Sequence, residues 1–201
     1  MTLKALVLNC TLSPSPAESS TDVLSGQVLQ ALTKHDVQGS TIRVVDHDVR
    51  PGVELDMGNG DEWPQIRQRI MDSDILVLAT PTWMGQQSSV CQRVLERLDA
   101  ELSETDEQGR LQAYGRVAIA VVVGNEDGAH HITSVIFQAL NDVGFTIPAS
   151  GGVYWNGEAM HTTDYKDLDE TPEKVASTTA SLAANAAHLA KLLKDHAYPP
   201  A

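Results

Sequence analysis

Ala5-Leu6-Val7-Leu8, running into Asn9-Cys10-Thr11-Leu12-Ser13-Pro14-Ser15-Pro16-Ala17-Glu18-Ser19-Ser20-Thr21, is the stretch on which the fold turns. A short aliphatic run bounded by polar and proline signals reads as a strand buried on both faces of a parallel sheet. The polar loop then passes into a helix over Thr21 to Lys34. There Val23, Leu24, Val28, Leu29 and Leu32 repeat at helical spacing, and Ser19, Ser20 or Thr21 can cap the start.

The same alternation continues along the chain. Ile75 to Ala79 and Val117 to Val123 are two further aliphatic strands, Ser40 to Asp46 alternates like a sheet-edge strand, and Gly144 to Pro148 supplies a shorter fifth. Helical patterns separate them: Trp63 to Met71, a segment opening at Ser88 or Ser89, His131 to Val143 closing at Gly144, and a last helix from Thr171-Pro172-Glu173 to about Asp195. Right-handed crossovers between parallel strands place helices on both faces. The expectation is an α/β three-layer sandwich, one domain over residues 1–201, with a five-stranded parallel sheet in the order 2-1-3-4-5. Two connections stand apart. His47 to Glu62 is long enough to be functional or mobile, and Tyr154 to Glu170 carries Trp155, Met160, His161 and Tyr165, residues suited to a pocket or an oligomer interface.

Composition narrows the function. A net charge of −13 repels nucleic-acid phosphates, and only 4% of residues are aromatic, too few for an extended base-stacking surface. No apolar stretch approaches the length of a membrane helix, and the N-terminus lacks the pattern of a signal peptide. Cys10 and Cys91 build no disulfide framework and have no metal-type spacing, so a cytoplasmic location is expected.

In an open α/β sheet, ligands sit beyond the carboxyl ends of the strands where the strand order reverses. Three loops occupy that place. The first has six hydroxyl residues ahead of a helix N-terminus, where hydroxyls and free backbone N–H groups suit a phosphate monoester. Helix capping alone would also explain them. The second, Thr80-Pro81-Thr82-Trp83-Met84-Gly85-Gln86-Gln87-Ser88-Ser89, offers an apolar and aromatic wall with backbone donors, although Trp83 could instead pack on a partner subunit. The third, Gly124-Asn125-Glu126-Asp127-Gly128-Ala129-His130-His131, has two glycines where backbone can approach a planar ligand. Adjacent histidines on a helix do not face one another, so no metal site is expected from His130 and His131.

Taken together, the three loops resemble those of the NAD(P)H-dependent FMN reductases of the flavodoxin-like superfamily. The resemblance implies a flavodoxin-like fold with FMN as cofactor and NADPH or NADH as electron donor. A small-molecule electron acceptor such as a quinone or free flavin follows, with a homodimer or homotetramer as the working assembly. Position by position, it makes Thr11, Ser13, Ser19, Ser20 and Thr21 phosphate contacts. Pro81, Thr82, Trp83, Met84 and Gly85 flank the ring, and Gly124, Asn125, Glu126, Asp127 and Gly128 complete the site. Many reductases of this group open the first loop with Gly-Ser and include an arginine. Here the loop starts Asn9-Cys10-Thr11 and holds no Lys or Arg, leaving phosphate to neutral donors and the helix dipole. A flavin brings its own redox chemistry, so no catalytic side chain is named.

Three other readings bear on the same loops. Cys10 after the first strand suggests a phosphotyrosine phosphatase, but the arginine position of a Cys-x5-Arg motif is Pro16. Neither Gly-x4-Gly-Lys-Ser/Thr nor Gly-x-Gly-x-x-Gly follows any strand, which disfavours nucleotide hydrolysis. An FMN-binding electron carrier without a nicotinamide site stays open as the alternative.

Overall fold

A computed structural model of the chain describes residues 2–158 and 161–200. Its centre is a sheet in the order β2-β1-β3-β5-β6, with β4 paired to β3. The strands are β1 (Leu3–Asn9), β2 (Val37–Arg43), β3 (Ile75–Trp83), β4 (Gln86–Gln87), β5 (Val117–Gly124) and β6 (Gly152–Asn156). All pairings are parallel except the short β3–β4 hairpin. The five long strands therefore have the expected flavodoxin-like order.

Alternate side chains of the central strands feed two cores. Leu3, Ala5 and Val7 of β1 face α1 (Ser20–Thr33) and α5 (Glu173–Asp195), where Leu24, Val28, Leu182 and Ala186 are buried with them. Leu6 and Leu8 face the opposite layer, formed by α2 (Trp63–Met71), α3 (Ser89–Leu98) and α4 (Ala129–Asp142). Burial on both faces explains why β1, β3 and β5 read as continuous aliphatic runs.

Two strands differ from expectation. The edge strand expected at Ser40 to Asp46 lies three residues earlier, because Leu3 of β1 pairs with Val37 and the chain at Val44–Asp46 winds into a short 3-10 turn. The fifth strand is not Gly144 to Pro148. Thr146 makes one isolated bridge to Val117, and Pro148 has no N–H to continue a ladder. Ser150 then takes a positive φ of 55°, and the chain pairs with β5 at Gly152–Asn156.

The long connection at 47–62 is held from within. Arg97 of α3, whose side chain is fully buried, donates to Asp61 Oδ2 (2.6 Å) and to the carbonyls of Arg50 (2.9 Å), Glu54 (2.7 Å) and Leu55 (3.3 Å). Asp61 in turn accepts from the N–H groups of Arg50, Met57 and Trp63. Burial pushes the Asp61 carboxyl up, but these donors together outweigh it and bring its pKa down to about 2.

Candidate functional site

Beyond the carboxyl ends of β1, β3 and β5 lies a cavity of about 440 Å³, within the size range of small-molecule sites. Its first wall is the hydroxyl loop. Asn9, fully buried at the end of β1, accepts from the Thr11 N–H (3.0 Å) and donates to Asp22. Ser19 caps α1, accepting from the Asp22 N–H at 3.3 Å. Arg43, at the end of β2, pairs with Asp22 and donates to the carbonyls of Ala17 (2.7 Å) and Ser13 (3.3 Å). Ser15 donates twice to Asp46, which holds that carboxyl below its usual range. The loop is thus fixed from its outer side, while Thr11, Ser13, Ser19, Ser20 and Thr21 line the cavity.

The second wall is the end of β3. Residues 82 and 83 pair with 87 and 86 in a tight hairpin whose central residues, Met84 and Gly85, both have positive φ. Such turns match the twist of the flanking strands. Pro81, Thr82 and Trp83 line the cavity, with Trp83 55% exposed. Met84, 90% exposed, and Gly85 form the turn outside the lining.

The third loop locks onto this hairpin. Glu126 Oε1 accepts from the Met84 N–H at 2.8 Å. Gly128 has a φ of +124°, and a Cβ there would fall 2.7 Å from the Gly85 Cα. Gly124, Asn125 and Glu126 line the cavity; Asp127 and Gly128 do not, and their part is to shape the turn into α4. Of the fifteen expected site residues, Met84, Gly85, Asp127 and Gly128 therefore stand behind the lining.

A fourth wall escaped the sequence reading of individual contacts. Trp155, Asp164, Tyr165 and Lys166 line the cavity from the segment after β6. The rings of Trp155 and Tyr165 are 5.4 Å apart, Asp164 accepts from Asn125 Nδ2 (2.7 Å), and the Tyr165 hydroxyl donates to Gln27 Oε1 (2.6 Å). The Lys166 N–H donates to Ser20 Oγ at 3.2 Å. Its ammonium donates to Asp167, which with the nearby acids raises its pKa and keeps it charged. The suitability of this segment for a pocket was visible in its aromatics. Its pairing with a helix start 146 positions earlier was not. Met160 lies outside the described residues.

Thr82 Oγ1 and Asn125 Oδ1 are buried without a hydrogen-bond partner, and the Thr82 residue is only 4% exposed. Buried polar atoms of this kind are ordinarily satisfied. Neither atom has surface open to the cavity; what the cavity offers a planar ligand is the aromatic side chains of Trp83, Trp155 and Tyr165. Cys10, by contrast, is fully buried, and burial pushes its thiol well up, aided by Cys91. It is no nucleophile at this site. The two histidines turn to separate partners, His130 to the Tyr154 hydroxyl and His131 to Gln86, each at 3.0 Å.

A parallel sheet of this order, with helices on both faces and a cavity at its switch point, is the flavodoxin-like fold. The NADPH-dependent FMN reductase family model matches residues 3–160, and the chain belongs to that family. A Mycobacterium bovis protein named divalent metal cation transporter MntH is 39% identical over 199 residues, covering 96% of this chain. The chain spans only 29% of that relative's length. The 8-demethyl-8-aminoriboflavin-5'-phosphate synthase of Streptomyces davaonensis is 31% identical over 98% of this chain and 81% of its own. The crystal structure of RosB with bound 8-demethyl-8-formylriboflavin-5'-phosphate superposes with a TM-score of 0.89 at 30% identity, over 98% of this chain and 82% of that one. No helix among the described residues is long and apolar enough to cross a membrane.

Proposed function

We propose that the cavity holds flavin mononucleotide and that the chain passes electrons from NADPH or NADH through it to a small acceptor such as a quinone or free flavin. The observation that carries this reading is the cavity's division: hydroxyls at a helix start on one side, aromatic walls on the other. Thr11, Ser13, Ser19, Ser20 and Thr21 hold the phosphate. Pro81, Thr82, Trp83, Gly124, Asn125 and Glu126 hold the ring, with Trp155 and Tyr165 as a further wall. The bound flavin supplies the redox chemistry itself.

The chain's residues orient and shield. Glu126 fixes the hairpin that carries Trp83, the close approach at Gly128 stacks the two loops, and the start of α4 favours negative charge at its positive end. Exposed Trp83 and Met84 at the rim fit a second copy of the chain, which sedimentation tests, and the reduced cysteines fit a cytoplasmic location. An absorption spectrum with added FMN, followed by anaerobic NADPH and NADH titration, tests the whole reading. Bound flavin that bleaches supports it; bound flavin that does not bleach favours an electron carrier; no binding defeats both.

A second reading is favoured by the likeness to the Streptomyces synthase and to RosB. In it, the flavin is the substrate and its ring is modified. Flavin recovered at unchanged mass after turnover rejects this alternative.

A further inference from the structure

Among the described residues that line the cavity, Lys166 is the one cation, against the acids Glu18, Glu126 and Asp164. The lining is net negative even with that lysine, so Lys166 supplies the one full positive charge a phosphate monoester would meet among these residues. The lysine is held where it would act. It sits on a 3-10 turn, Tyr165–Asp167, fastened to α1 by its own N–H on Ser20 Oγ (3.2 Å) and by the Tyr165 hydroxyl on Gln27 (2.6 Å). Ser20 is also a lining residue at the start of α1. The Lys166 ammonium lies 2.8 Å from Asp167 Oδ1 and 3.9 Å from Glu18 Oε2, whose side chain is 87% exposed. An ammonium has three donors on a flexible stem, so one can stay on Asp167 while another exchanges the loose Glu18 contact for a phosphate oxygen.

We propose that Lys166 is the specificity determinant that selects phosphorylated over unphosphorylated flavin. The inference rests on the flavin mononucleotide reading above and goes beyond it. Lys166 lies past residue 160, where the family match ends, and supplies the positive charge that the first loop, with no Lys or Arg, lacks. Arg43 cannot take that part while it pairs with Asp22 and donates to two loop carbonyls. Riboflavin presents a neutral hydroxyl where FMN presents a dianion, so a cation at this point separates the two by charge, beyond what the neutral hydroxyl donors contribute.

The test is calorimetric titration of the purified full chain with FMN and, separately, with riboflavin, for the wild type, Lys166→Met, Lys166→Arg and the remote control Lys191→Met. Lys166→Met is expected to weaken FMN binding about tenfold or more, the scale of a charge-assisted hydrogen bond, and to leave riboflavin affinity within about twofold. Lys166→Arg should retain the preference, and Lys191→Met should match the wild type. Unchanged FMN affinity in Lys166→Met overturns the proposal. Equal loss of both flavins also overturns it, because the turn would then merely support the cavity wall. A wild type that binds neither flavin defeats the underlying reading, and this inference with it; a wild type that binds FMN separates the two failures.

Discussion

Two long loops on the carboxyl side of the sheet are each clasped by an arginine and an aspartate, yet they end in opposite states. At 47–62 the Arg97–Asp61 pair is fully buried, and the arginine takes the carbonyls of Arg50, Glu54 and Leu55 while Trp63 lies 5.5 Å away beneath its guanidinium. At 9–21 the Arg43–Asp22 pair is partly exposed and satisfies only one side of the loop. In the loop at 47–62 three backbone carbonyls close on Arg97, while Arg50 Nε and Arg97 Nε stay buried without partners among the described residues. The loop at 9–21 leaves hydroxyls facing a cavity. Length and polarity do not distinguish a ligand loop from a structural one; these two differ in that one gathers its backbone carbonyls on a buried arginine and the other turns hydroxyls to the cavity at the switch point of the sheet.

The largest expected effect is at the closed loop. Arg97→Met strands the buried Asp61 carboxylate and should cost about 3–5 kcal/mol in urea unfolding, with the loop becoming sensitive to proteolysis. A loss under about 1 kcal/mol would mean that the clasp is not what orders residues 47–62.

Acid should expose the same pair. The Asp61 pKa falls from an ordinary 3.8 to about 2, so its contribution is fully present above about pH 4 and is lost as pH falls toward 2. It amounts to about 2 kcal/mol. The stability gap between wild type and Asp61→Asn should therefore shrink by that amount over this range in pH-dependent urea melts. A constant gap would contradict the assignment.

The smallest effect belongs to the open loop. Arg43→Met removes a partly exposed pair and should cost about 1–2 kcal/mol, while weakening FMN binding because Ser13 and Ala17 lose their tether. If it destabilises as much as Arg97→Met, the contrast between the loops fails.

The same contrast explains what could be read in advance. Continuous aliphatic runs at Leu6, Leu76 and Ile119 reveal strands buried on both faces, and the sheet order follows from them. β6 does not read as a buried strand because only Val153 of its five residues is buried, while Trp155 turns to the cavity. Local loops announced themselves by composition, so three walls of the site were legible. The fourth depends on Lys166 meeting Ser20, and Arg97 looked like an ordinary polar residue of an amphipathic helix; such pairings exist only once the chain has folded.

The most direct measurement is FMN titration, followed by flavin absorbance and fluorescence, of the wild type and the Ser13→Ala/Ser20→Ala/Thr21→Ala variant, each checked for an unchanged folded spectrum. One FMN per chain is expected in the wild type and at least a tenfold weaker complex in the variant. Equal affinity in the two, or no binding to the wild type, would contradict phosphate binding by these hydroxyls.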